Sequence, residues 1–255
     1  MTTNPIIRVR NLDAGYDGRP ILEDVSFDVH RGEVFVILGG SGCGKSTLLK
    51  HMIGLLDPLR GTIEIDGGNL TSASGAARLA ILRKFGVLYQ SGALFSSMSL
   101  VENVSLPLEE FTTLPPDAIH EIAKTKLRLV RLEGFEDYMP SEISGGMKKR
   151  AGVARALALD PPIVFLDEPS AGLDPITSAE LDRLIVDLRD ALGTTMVVVT
   201  HELPSIFAIA DQCIVLERER HTIVARGKPS ELRDKSADPY VRAFFRREIL
   251  APKET

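Results

Sequence analysis

Gly39-Gly40-Ser41-Gly42-Cys43-Gly44-Lys45-Ser46 spells G-x-x-x-x-G-K-S. It follows an apolar run, Glu33 to Leu38, that reads as a strand, and it opens an amphipathic run that ends at Gly54. Strand, glycine-rich loop and helix in that order make a phosphate cradle, because successive backbone N–H groups turn inward and the helix adds the positive end of its dipole. Lys45 then reaches the β- and γ-phosphates and Ser46 offers a hydroxyl to Mg²⁺. At average residue usage a chain of this length would match the pattern by chance with a probability on the order of 1 in 100. A mere flexible turn would leave the strand before it and the helix after it unexplained.

Outward from the loop, the chain changes its periodicity. Ile7 and Val9, then Val25, Phe27 and Val29, then Ile63 and Ile65 alternate with polar residues and predict antiparallel strands. Ile163 to Leu166 and Met196 to Val199 are solid apolar runs, as expected of parallel strands covered on both faces. Between them Leu181, Leu184, Ile185, Leu188 and Leu192 form one helical stripe capped by Gly193, which predicts a βαβ unit. Residues 93–158 lack solid strand runs and carry a second stripe, Ile119, Ile122, Ala123, Leu127 and Val130, so they read as a helical insertion into an α/β core. Cys213 to Arg226 predicts a closing hairpin, and from Asp238 onward the chain reads as a polar tail in which Phe244 and Phe245, flanked by Arg242, Arg246 and Arg247, suit a partner surface, with a disordered end as the alternative.

Composition sets bounds on this reading. The 255 residues, 44% apolar, can fill a large α/β core. A net charge of −5 argues against a general nucleic-acid or anionic-membrane surface. No apolar stretch approaches the roughly 20 residues that cross a bilayer, and no signal-peptide pattern opens the chain, so a cytosolic protein is expected. Cys43 and Cys213 have no metal-type spacing.

Two further stations carry chemistry. Ile163 to Asp167 is an apolar strand that ends in two adjacent acids, Asp167 and Glu168. Side chains alternate across a strand, so the two carboxylates divide the work: Asp167 suits Mg²⁺ and Glu168 suits the attacking water. Ile143-Ser144-Gly145-Gly146-Met147 precedes a basic helical stretch, Lys148 to Leu159, and small residues at a helix entrance present bare N–H donors to an anion.

The ordered set of phosphate loop, Gln90, Ser144-Gly145-Gly146, Asp167-Glu168, Asp174 and His201 resembles the ATP-binding cassette ATPases over nearly the whole chain, from about Ile7 to Leu232. The resemblance implies the P-loop NTPase fold: a RecA-like core with an antiparallel β subdomain over 1–92 and 159–237, a helical signature subdomain over 93–158, and a tail over 238–255. Carried over by position, Gly39, Gly40, Ser41, Gly42, Cys43, Gly44, Lys45, Ser46 and Thr47 match the Walker A loop. Gln90 matches the hinge glutamine, with a share in Mg²⁺ beside Ser46 and Asp167. Ser144, Gly145 and Gly146 match the signature that touches ATP held by a second copy, Glu168 the catalytic glutamate, and Asp174 the loop that communicates across the dimer. His201 matches the switch histidine at the γ-phosphate, and Tyr16 the aromatic on which adenine stacks.

One departure narrows the family. The usual signature reads Leu-Ser-Gly-Gly-Gln, whereas Ile143 and Met147 stand at its ends here. Met147, together with Tyr89 to Ser99 and His201 to Asp211, is similar to the ATPases of bacterial lipid transporters built around mammalian-cell-entry domains. That likeness implies a homodimer with two shared ATP sites, an integral membrane permease, further subunits including a mammalian-cell-entry-domain protein, no nucleic acid, and attachment to the cytoplasmic face of the inner membrane. The alternatives are the ATPase of another importer or exporter, and, from a different class, a cassette acting on ribosomes or DNA. Such proteins carry a second cassette, a long coiled coil or a basic face, and this sequence has none of these.

If Glu168 orients the attacking water, Glu168→Gln keeps Mg·ATP binding and cuts turnover by at least the roughly 10²- to 10⁴-fold of a positioned acid or base. Hydrolysis near the wild-type rate would overturn the assignment.

Overall fold

The computed structural model describes residues 4–248. The chain opens with β1 (Ile7–Tyr16), β2 (Arg19–Val29), β3 (Val34–Gly39), α1 (Lys45–Met52), β4 (Arg60–Ile65), β5 (Gly68–Asn69) and α2 (Gly75–Leu82). It continues through β6 (Phe85–Leu88), α3 (Leu100–Phe111), α4 (Pro116–Leu129), α5 (Gly145–Ala156), β7 (Ile163–Asp167), α6 (Pro175–Leu192) and β8 (Thr195–Val199). It closes with α7 (Leu203–Ile209), β9 (Gln212–Glu217), β10 (Thr222–Gly227), α8 (Pro229–Lys235) and α9 (Pro239–Arg246). Two compact units result, one within Met1–Ile81 and Val199–Thr255, the other within Leu82–Val198.

In the first unit the alternating segments pair as expected, in a sheet ordered β2-β1-β4-β5. Val9 stands opposite both Phe27 and Ile63, and Ile7 opposite both Val29 and Ile65, so one apolar face runs across three strands. Asp17-Gly18 and Asp66-Gly67 take positive φ at both positions, the backbone of the two-residue turns whose twist matches paired strands. β3 is buried along its whole length and lies parallel to β9, which pairs antiparallel with β10 as the expected hairpin. β3 thus aims the phosphate loop from a rigid base.

The second unit holds strands in the order β8-β7-β6, with β6 and β7 parallel and Phe85 opposite Ile163. α6 is framed as its sequence predicts: Asp174 caps it, Pro175 starts it, and Gly193 ends it in the left-handed conformation. Residues 93–158 are helical, with α3, α4 and α5 packed through Leu100, Val104, Leu108, Ile119, Ala123 and Leu127. The compact unit is wider than that insertion, since it also takes in β6, β7, α6 and β8.

The tail departs from the sequence reading. Residues 239–246 form α9, which buries Val241, Ala243 and Phe245. Phe245 is 4% exposed and packs on Phe207, so it serves the fold and not a partner surface. Residues 249–255 of the expected tail lie outside the described residues. Among the described residues no helix is long and apolar enough to cross a membrane.

Candidate functional site

The phosphate loop of the first unit exists because two residues have no side chain. At Gly39 a Cβ would sit 2.4 Å from the Leu216 carbonyl oxygen, and at Gly44, where φ is 101°, it would meet Leu22 at 2.9 Å. The backbone therefore turns tightly between β3 and α1. No side chain caps α1, which leaves its first-turn N–H groups for an anion. Ser41, Gly42 and Ser46 are exposed, while Cys43 is a buried filler whose thiol is pushed up by desolvation. Lys45 is only 8% exposed, and its Nζ donates to the carbonyls of Gly39 at 2.9 Å and Gly40 at 3.1 Å. The ammonium thus rests inside the loop that would receive the phosphates.

Tyr16 stands beside the loop, 38% exposed, as a stacking platform must be. Its hydroxyl accepts from Thr47 Oγ1 at 3.5 Å and from Lys50 Nζ at 3.3 Å, and these bonds, Thr47 first, lower its pKa. The Lys50 ammonium also lies 5.6 Å from the ring centroid. His51 fixes the backbone next door: its Nε2 accepts the Gly15 N–H at 3.1 Å, so Nδ1 carries the proton it gives to Leu56 O, also at 3.1 Å. His201 is the second residue of the loop after β8 and is exposed. There Thr200 N–H donates to Ile37 O at 3.2 Å and Thr200 Oγ1 accepts from Glu202 N–H at 3.2 Å. His201, Glu202, Leu203 and Pro204 share a cavity of about 390 Å³ with Phe244 and Arg247 of the C-terminal segment.

The second unit gathers the other stations. Tyr89, Gln90, Ser91, Asp167, Ala171 and Gly172 line a cavity of about 590 Å³. β7 ends at Asp167, and Glu168 then takes a left-handed backbone, φ 46°. The two acids are therefore separated by the end of the strand and not by the pleat, which refines the alternation argument. Ser144 caps α5 by accepting Met147 N–H at 3.3 Å and leaves Gly145 exposed beside it at the helix start. Asp174 holds the first turn of α6, taking Ile176 N–H at 3.0 Å, Thr177 N–H at 3.1 Å and Thr177 Oγ1 at 2.5 Å, and these bonds, the Thr177 hydroxyl first, lower its pKa.

One residue of this cluster is hidden in the sequence. Lys149 is 6% exposed, and its Nζ donates to the backbone carbonyls of Gln90 and, at 3.0 Å, Glu168. Lys148-Lys149-Arg150 reads as a solvated charge run, but Lys149 shares helical spacing with the buried Gly146, Gly152, Val153 and Ala156. That period was the available signal. Ser46 in the first unit, and Gln90 and Asp167 in the second, each offer the kind of hard oxygen donor that Mg²⁺ takes, an ion that relies on substrate phosphates and water for much of its shell. Among the described residues no group of three or more His, Cys, Asp or Glu forms an all-protein metal site.

The chain is similar to known proteins over most of its length. Residues 22–171 match the family model for ABC transporters. Over 246 residues the chain is 44% identical to a probable ribonucleotide transport ATP-binding protein of Mycobacterium leprae, spanning 96% of this chain and 70% of that one. Over 240 residues it is 41% identical to the intermembrane phospholipid transport system ATP-binding protein MlaF of Escherichia coli, spanning 94% and 88%. Among solved structures, cbiO1 of Clostridium perfringens, part of an ABC transporter complex, aligns with a TM-score of 0.83 at 30% identity over 91% of this chain and 92% of that one. A dimeric ATP-binding cassette in a post-hydrolysis state bound to ADP and Pi aligns with a TM-score of 0.78 at 29% identity, over 87% and 98%. The chain belongs to the ABC transporter family, has its P-loop NTPase fold, and is an ATPase.

His51 makes the site acid-sensitive. Burial lowers its pKa below the ordinary 6.5, so the folded state resists a proton that the unfolded chain accepts. Its contribution to stability is complete above 6.5 and drains as pH falls from there toward the lowered value. Thermal melts from about pH 7.5 to about pH 5.5 should show a steeper loss of Tm in the wild type than in His51→Gln, whose amide oxygen can still accept the Gly15 N–H. Equal slopes would refute the neutral assignment.

Proposed function

We propose that this ATPase powers phospholipid movement between bacterial membranes, as a homodimer on the cytoplasmic side of an inner-membrane permease. The observation that carries the reading is the match to the phospholipid-transport ATP-binding protein over 94% of this chain, together with Met147 and the stretches around Gln90 and His201. In this reading the loop amides and Lys45 bind the β- and γ-phosphates, and Tyr16 stacks on adenine. Ser46, Gln90 and Asp167 would hold Mg²⁺, which supplies charge neutralisation on the phosphate oxygens. Glu168 orients the attacking water, His201 contacts the γ-phosphate, and Ser144, Gly145, Gly146 and Asp174 complete the site of the second copy.

The stretch after Gln90 supports a permease contact. Phe95 is 56% exposed, yet the backbone beneath it is pinned. Asn103, fully buried, accepts Phe95 N–H at 2.7 Å and donates to the carbonyls of Phe95, Met98 and Ser99. Arg155 donates to Ala93 O at 2.7 Å and Gly92 O at 3.1 Å. An apolar ring held out on fixed backbone, beside Ala93, Leu94 and Met98, suits a short amphipathic helix of the membrane subunit. A mammalian-cell-entry-domain protein completes the assembly in this proposal.

Two experiments test it. A Lys45→Ala chain mixed with a Ser144→Arg chain should regain one working site per heterodimer, and no activity in verified heterodimers would defeat the shared geometry. Reconstituted with its membrane partner in phospholipid vesicles, the chain should drive ATP-dependent transfer of labelled phospholipid. Uptake of a soluble solute such as a ribonucleotide without lipid transfer would overturn the lipid reading.

A further inference from the structure

The peptide group between Gly39 and Gly40 is held at both ends. A trans peptide is planar, so its C=O and N–H point in opposite directions. Here the Gly39 carbonyl accepts from Lys45 Nζ at 2.9 Å, while the Gly40 N–H donates to the hydroxyl of Tyr240 at 3.3 Å. Two consecutive glycines give this peptide more rotational freedom than any other pair in the loop would have. Turning it would swing away the carbonyl against which the Lys45 ammonium rests. Tyr240 opposes that turn from the far side.

Tyr240 is itself anchored. It lies in the first turn of α9, where Asp238 accepts its N–H at 2.8 Å and caps the helix. Asp238 also pairs with Arg220, and Arg220 Nε reaches Glu217 Oε2 at 2.7 Å, which ties the helix start to β9. An aromatic row continues from Tyr240 to Phe244 (6.4 Å), Phe245 (5.6 Å) and Phe207 (5.7 Å between centroids), the last on α7 just after His201. The same helix therefore touches the phosphate loop and stiffens the segment that carries His201.

We propose that Tyr240 is a positioning residue for nucleotide binding: through the Gly39–Gly40 peptide it keeps Lys45 and the loop in the shape that receives the phosphates. The proposal rests on the phosphate loop being the ATP site, and the control below separates the two.

Tyr240→Phe removes the hydroxyl and keeps the ring, so the aromatic row and the fold survive. In the full-length chain it should raise KM for ATP and Kd for a fluorescent ATP analogue by about two- to tenfold, the worth of one hydrogen bond, with kcat unchanged and Tm lowered by no more than about a few degrees. Tyr240→Ala should weaken binding further and lower Tm as well. Affinity unchanged in Tyr240→Phe, or a fall in kcat with affinity intact, would overturn the proposal. Lys45→Ala measured alongside decides where a failure lies. If Lys45→Ala weakens binding and Tyr240→Phe does not, the tyrosine has no positioning role. If neither does, the ATP site itself has been misplaced.

Discussion

The phosphate loop of the first unit depends on the close approach of the Gly39 backbone to the Leu216 carbonyl. β3 and β9 lie side by side, and the chain leaves β3 through a space in which any Cβ would overlap a carbonyl oxygen. That constraint makes the loop turn back at once, so that α1 starts with its N–H groups directed into the turn. It also explains why an apolar strand buried along its whole length must precede the loop: a mobile strand would not hold the backbone tightly enough to make the exclusion absolute. Burial of β3 and β9 thus sets the geometry of the phosphate cradle.

The parts legible in the sequence were those fixed by periodicity or by local stereochemistry. Alternation gave the antiparallel sheet, solid runs gave β7 and β8, and Asp174, Pro175 and Gly193 framed α6, because in each case neighbouring residues suffice to decide the backbone. The candidate site residues read as motifs for the same reason, since a loop that binds phosphate must carry its glycines, lysine and serine in one short stretch. What escaped were contacts made across long sequence separation. Lys149 looked like one cation among three, and only its place on the buried side of α5 reveals that it serves two backbone carbonyls. Tyr240 is 200 residues from Gly40, and nothing local marks it. Phe245 was misread because a short amphipathic helix within a charged tail looks the same whether its apolar side meets a partner or its own fold.

The functional positions fall into two sets, each organised within its own unit. Tyr16, the phosphate loop and His201 belong to the unit built on β3, whereas Gln90, Ser144 to Gly146, Asp167, Glu168 and Asp174 belong to the unit built on β7. The first set binds through backbone amides and one ammonium that are rigid by packing. The second set holds the proposed catalytic groups, and there a buried cation, Lys149, donates to the carbonyls of Gln90 and Glu168. A lysine ammonium with three donors can hold two carbonyls at once, at the cost of desolvating its charge. Spending a buried charge there makes physical sense only if those two carbonyls need to stay fixed.

Glu168 is where that need is greatest. A non-glycine residue in the left-handed region costs about 1–2 kcal/mol, and it persists only where its surroundings over-determine it. Its carbonyl accepts both Lys149 Nζ at 3.0 Å and Ala171 N–H at 3.2 Å, so the strained backbone is gripped from α5 and from the turn that follows. The same lysine grips Gln90 through its carbonyl, which makes the two residues share one anchor. A movement of α5, which starts at Gly145 and Gly146, would therefore act on Gln90 and Glu168 together. α5, Gln90 and Glu168 form one mechanical group, because the Lys149 side chain ties the helix to both carbonyls.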